Sequence, residues 1–248
     1  MTPEPIGAQP PEPRGMGVFA RITGVFLEPS KAFADIAQRP TWLLPLLLMI
    51  IAGVAYYTTY GQHVGWARFF QHQAEINPKV AQQMSQMTPD QRAMQAKFAG
   101  YGYDGGVIIV TPIALLITSA IVLGIANIMG AGLRFKQVFA IEAWASLPIL
   151  IRYVLSIVVM FLKNPDDFNL VNPLAFNAAA FMDPIASSKF LYALATAVDV
   201  FAIWTLLLGA TGVKAASKRI SFTGALIAVA TPFVLFTLFG ATIAGLFS

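Results

Sequence analysis

Residues 138–162 read VFAIEAWASLPILIRYVLSIVVMFL. At about 1.5 Å per residue in a helix, a run of this length covers the roughly 30 Å hydrocarbon core of a bilayer. Only two charged side chains, Glu142 and Arg152, stand in it. The apolar residues run on instead of recurring at helical or strand intervals, so the stretch has no face to turn toward water. Arg152 lies near its centre, where an unpaired charge in hydrocarbon costs about 3 to 15 kcal/mol.

The rest of the chain has the same character. Of 248 residues, 57% are hydrophobic and 11% charged, against about 25% charged in soluble domains. There are too few charges to build a polar skin, which makes this an integral membrane protein. Four further apolar blocks, about 42–60, 107–129, 190–211 and 222–247, each approach the 20 residues of a transmembrane helix. Nothing resembles the alternating ten-residue strands of a barrel. The sequence predicts an all-α fold, a five-helix transmembrane bundle. The block at 42–60 contains Gly53-Val54-Ala55, a passable cleavage site, but it follows a structured basic segment and is read as a retained helix.

Residues 1–15, MTPEPIGAQPPEPRG, hold five prolines and no apolar pattern. They read as a disordered tail ahead of one membrane domain over 16–248. Over 16–39, Val18, Ile22, Val25 and Phe26, then Phe33, Ile36 and Ala37, recur at three- and four-residue spacing, with Arg21, Glu28, Lys31, Asp35 and Arg39 on the other face. The pattern predicts two short amphipathic helices. Either they lie in the membrane interface, anchored by Phe19, Phe26, Phe33 and Trp42, or they pack against the chain's own bundle.

Loop charges assign sides. Arg14, Arg21, Lys31, Arg39, Arg134, Lys136, Lys214, Lys218 and Arg219 fall on one side, and Arg68, Lys79, Arg92, Lys97, Lys163 and Lys189 on the other. The positive-inside rule puts the amino terminus in the cytoplasm and the carboxyl terminus outside. The outside loop 61–106 is expected to form two helices, about 78–87 and 89–99. Asn77-Pro78 and Thr88-Pro89 each set a capping residue before a proline, and Thr88 with Gln91 has capping-box spacing. The loop KNPDDFNLVNPLAFNAAAFMDPIASSK, residues 163–189, reads as an irregular cap with apolar residues dipping toward the interface.

A second intramembrane charge, Asp199, lies near the middle of the 190–211 block. Arg152 is 14 residues from the cytoplasmic start of its helix and Asp199 is 12 from the cytoplasmic end of its own, so their depths differ by about 3 Å. The two are expected to pair and fix helix register. A pathway for ions or protons, or a water-filled cavity where Arg152 holds a lipid headgroup, are the alternatives. Glu142 is expected in a cap or interface role at the cytoplasmic start of its helix. Asn127 is expected to hydrogen-bond between helices. Pro148 and Pro232 should kink their helices.

No catalytic constellation is present. The chain lacks a Walker loop, HExxH, GxSxG and an acidic loop cluster. With no cysteines and only His63 and His72, nine apart, no metal site is expected. No cofactor is expected either. The formal charge of +4 suits an anionic membrane face and carries no aromatic-interleaved basic patch for nucleic acid.

Several stretches resemble the Yip1 domain family. They are Glu28-Pro29-Ser30-Lys31-Ala32-Phe33, Arg39-Pro40-Thr41-Trp42-Leu43-Leu44-Pro45, FAIEAWASLP over 139–148, and Asp199-Val200-Phe201-Ala202-Ile203-Trp204 with Leu206-Leu207-Leu208-Gly209 and Gly212. The resemblance implies a multi-pass membrane protein with a cytoplasmic amino terminus. For eukaryotic members it implies trafficking roles that use long cytoplasmic regions to contact small GTPases. This chain's tail is short and proline-rich, and the family brings no catalytic residues. The expectation is a non-enzymatic protein of a bacterial inner membrane, a lipid- or protein-binding factor of membrane-organising or trafficking type. Other membrane proteins or a second copy of the chain are further candidate partners. A small transporter or channel using Arg152 and Asp199 is the alternative.

Overall fold

The computed structural model describes residues 15–246, so most of the proline-rich tail predicted over 1–15 lies outside the described residues. Among those described, the structure is helical and has no strand, only one isolated bridge between Asn177 and Asp199.

The chain opens with α1 (Val18–Leu27) and α2 (Pro29–Gln38). Pro29 starts α2 at a position where its missing N–H costs nothing. The two helices fold against each other because Arg21, 5% exposed, reaches across the turn. Its Nε donates to Asp35 Oδ2 at 2.7 Å, Nη1 to Thr41 Oγ1 at 2.6 Å and Nη2 to the Arg39 carbonyl at 3.2 Å. Arg21 and Asp35 are therefore not the solvated face that amphipathic spacing suggests. They form a buried, fully hydrogen-bonded lock.

The anchors also divide. Phe19 is exposed, as an interfacial residue would be. Phe33 is not an anchor: it is completely buried, against Gly212 of α10 (Val200–Ala216). Phe26 meets Trp204 edge-on at 5.3 Å and Trp42 meets Phe139 at 5.2 Å, so both rings are held by the bundle. The apolar face of α2 packs on α10 and α7 (Phe135–Ala145).

Four helical stretches are long and apolar enough to cross a membrane: α3 (Leu43–His63), α6 (Pro89–Ile128), Phe135–Leu162 and α11 (Phe222–Leu246). Three departures from the predicted elements matter. The expected loop helix 89–99 is continuous with the span 107–129, making α6 40 residues long, and an unpredicted helix, α4 (Trp66–Ile76), precedes α5 (Pro78–Ser85). The Thr88 capping box forms as the spacing required. Second, 138–162 is not one kinked helix. The hydrogen-bond pattern is interrupted at Ser146, between α7 and α8 (Leu147–Leu162), and Pro148 sits in the first turn of α8, where a proline is tolerated. Pro232, by contrast, lies inside an unbroken α11, as Pro112 does inside α6.

Third, the block 190–211 is broken at Val198–Asp199 into α9 (Lys189–Ala197) and α10. The irregular segment 163–188 closes the gap. The Val200 N–H donates to the Phe176 carbonyl at 3.2 Å, and Phe168, Leu174 and Ala179 are buried. Irregular backbone at membrane depth is tolerated where protein supplies the missing partners.

Each end of the bundle is packed separately. One core joins Val25, Phe33, Ile36, Ile141, Trp144 and Val213. There the Trp144 indole donates to the Thr41 carbonyl at 2.7 Å, and Ser217 Oγ to the Ala131 carbonyl at 2.7 Å. The other core is aromatic, around Tyr56, Tyr60, Trp66 and Phe168. Trp66 fits between Gly61 and Gly100, where any Cβ would strike its ring. Arg68 and Asp166 tie the two extramembrane segments at this end, 3.2 Å apart.

Candidate functional site

Between the two packed ends lies a cavity of about 780 Å³. Its walls are mostly apolar and come from α3, α6, α7, α8, α9, α10 and α11. The polar side chains on its walls include Glu142, Arg152, Asp199 and Thr205.

Arg152 and Asp199 meet. Nη1 of Arg152 donates to Asp199 Oδ2 at 3.0 Å. The carboxylate has a second duty that its mid-block position concealed: as the N-cap of α10, its Oδ1 accepts the Ala202 N–H at 2.7 Å. Both oxygens are used, and Asp199 is 5% exposed. Asp199 is thus held by a cation on one side and a helix amino terminus on the other. Arg152 is less confined. Its side chain is 42% exposed, and Nε and Nη2 make no hydrogen bond to the described residues. It lines the central cavity and also a second cavity of about 190 Å³ toward the aromatic end. The guanidinium stands where the two spaces meet.

Glu142 stands in the last turn of α7, not in its first, and its carbonyl accepts the N–H of the C-cap Ser146. Its Oε1 is buried without a partner, near Gly209, as is Thr205 Oγ1. Asn127 does not bridge helices. It clamps its own turn, donating to the Leu133 carbonyl at 3.0 Å and accepting the Leu133 N–H at 2.8 Å. That turn begins at Gly130, whose φ of 86° suits glycine. His63 packs on Phe161 at 4.5 Å.

The apolar blocks and intramembrane charges did not single out the aromatic end. Five of the seven tyrosines gather there, Tyr56, Tyr57 and Tyr60 from α3, Tyr103 from α6 and Tyr153 from α8. The signal was in the sequence: positions 56 and 60 share one helix face, one turn apart. Outside the membrane, the Asp183 carboxyl is held below its ordinary range by the backbone N–H groups of Ala186 and Ile185.

No curated protein and no solved structure matches the chain. The model of the Yip1 domain does match, over residues 23–244. That range begins just after Arg21 and takes in its partners Asp35 and Thr41, the Trp144–Thr41 contact and the Arg152–Asp199 pair, and by it this integral membrane protein belongs to the Yip1 domain family.

Proposed function

We propose that this is a non-enzymatic, lipid-binding membrane protein whose central cavity receives the acyl part of a membrane lipid. In this reading α9 and α10 together make a fifth crossing, the amino terminus faces the cytoplasm of a bacterial inner membrane, and Arg152–Asp199 is a polar fixture in the cavity wall. The observation that carries it is the cavity itself. A space of about 780 Å³ lined mainly by apolar side chains suits hydrocarbon, and a half-exposed guanidinium on its wall suits a headgroup. Phe19 and Leu27 on α1, both highly exposed, would seat the cytoplasmic end in the interface.

The test is native mass spectrometry of the full chain released gently from membranes. Lipid should remain bound. Gly240 lines the cavity, and a side chain there would meet nothing within 4 Å, so Gly240→Phe should fill the space and reduce retained lipid without unfolding the protein. A wild-type protein that carries no lipid, or unchanged retention in Gly240→Phe, would sink this reading.

One observation favours a transport pathway instead. A helix broken at Asp199, beside an arginine shared by two cavities, is the arrangement of many intramembrane ion and substrate sites. Flux in proteoliposomes that is lost in Asp199→Asn would promote it.

A further inference from the structure

The smaller cavity differs from the central one. Its volume is about 190 Å³, and its walls include Tyr56, Tyr57, Phe69, Tyr103 and Tyr153 beside a short stretch of the irregular segment at 170–173, with Arg152 contributing the charge. The rings are not free to swing away. Tyr103 is stacked on Trp66 at 4.6 Å and lies 5.1 Å from Tyr57 and 5.8 Å from Phe69, while Tyr56 and Tyr153 are 5.5 Å apart. A fixed group of electron-rich rings attracts an organic cation placed over their faces, and quaternary ammonium groups are the common occupants of such cages.

The arginine at this site offers a defined edge. Asp199 takes Nη1, which leaves Nε and Nη2 side by side and without protein partners. Two parallel N–H groups in that geometry match two oxygens of a phosphodiester. Asp199 also cancels the net charge, so a purely anionic headgroup meets no excess of positive charge here. A headgroup that brings its own cation would gain the tyrosine faces as well. Asp104, next to Tyr103, adds to the negative potential at this end. Its Oδ2 accepts from Thr58 Oγ1 at 3.2 Å, while Oδ1 is buried and unpartnered. Arg152 and Tyr153 line both cavities, so a phosphate on Arg152 can have its ammonium among the rings and its hydrocarbon in the large space.

We propose that the Arg152–tyrosine pocket is the headgroup site for a zwitterionic phospholipid, with the phosphodiester on the Nε–Nη2 edge of Arg152 and the ammonium against Tyr57, Tyr103 and Phe69. This rests on the lipid-binding reading above and adds the headgroup class to it. The selectivity is for phosphocholine or phosphoethanolamine over phosphoglycerol.

The test titrates the full chain in detergent with short-chain phosphatidylcholine, phosphatidylethanolamine and phosphatidylglycerol, and with soluble glycerophosphocholine, reading occupancy by native mass spectrometry. The two zwitterionic lipids should bind about tenfold tighter than phosphatidylglycerol, the size expected of a desolvated cation over aromatic faces. Tyr103→Leu should abolish that preference and Tyr103→Phe should keep it. Arg152→Lys retains the charge on Asp199 but loses the paired donors, and should weaken all three lipids while the variant still elutes as folded protein. Equal or tighter phosphatidylglycerol binding by the wild type would overturn the proposal. Soluble glycerophosphocholine binding as tightly as the lipid would overturn the assignment to a membrane lipid. Lipids that bind without headgroup preference but are still displaced by Gly240→Phe would defeat only the headgroup assignment. The absence of any bound lipid would defeat the lipid reading itself.

Discussion

Asp199 shows how one carboxylate can serve two demands. It neutralises Arg152 and closes the first turn of α10, and these roles can be separated. Asp199→Asn keeps an acceptor for the Ala202 N–H and removes the charge, whereas Asp199→Ala removes both. Thermal unfolding in detergent should show Asp199→Ala less stable than Asp199→Asn by about 1 kcal/mol, the usual contribution of an N-cap. A swap of Arg152 with Asp199 should restore little, since an arginine at 199 cannot accept the Ala202 hydrogen bond. Arg21 permits a similar test. Arg21→Ala leaves the Asp35 carboxylate largely buried without its cation, and should cost about 3 kcal/mol in the same assay. Counting residues from the predicted helix ends set Arg152 and Asp199 at one depth, because rise per residue is nearly constant. The cap was hidden, since apolar composition runs straight through Val198–Asp199–Val200 and only the aspartate before an apolar run marks a helix start.

At the level of elements, α2 and α10 come close because Gly212 has no side chain. A Cβ there would run into Ile141 and sit 2.9 Å from the Phe33 ring. Gly212→Val should therefore lift α2 from the bundle at a cost of about 1 to 3 kcal/mol, seen as faster proteolysis between residues 28 and 42 while the membrane-embedded fragment stays intact. The apolar blocks were legible because hydrocarbon demands length and composition, and both can be counted. Breaks and continuations were less so. Gly100, Gly102, Gly105 and Gly106 suggest an interruption that α6 does not make, since a helix backbone in or near lipid has no better partner than itself. Ser146 interrupts a run that composition presents as continuous.

For the molecule as a whole, the two packed ends and the open middle divide the work. The end containing α1 and α2 is held by an apolar core with hydrogen bonds across it, the other by stacked rings, and Val229 of the first and Tyr153 of the second also line the cavity between them. The sidedness inferred from lysine and arginine counts can be checked directly, because the chain has no cysteine to remove. An impermeant maleimide should label Gln86→Cys and Ala180→Cys from outside the inner membrane, and Ser221→Cys only after the membrane is opened. The reverse pattern would invert the topology. The cavity was beyond reach of sequence reading, as empty space depends on how five separate stretches lean against one another and not on any one of them.

The bond from Val200 to the Phe176 carbonyl has a bearing on biogenesis. During translation residue 176 emerges well before residue 200, so the acceptor already waits when the start of α10 leaves the insertion machinery. An order of synthesis that reversed this, as in a circular permutant opened between Phe176 and α9, would send a helix end into the bilayer with its amide bare.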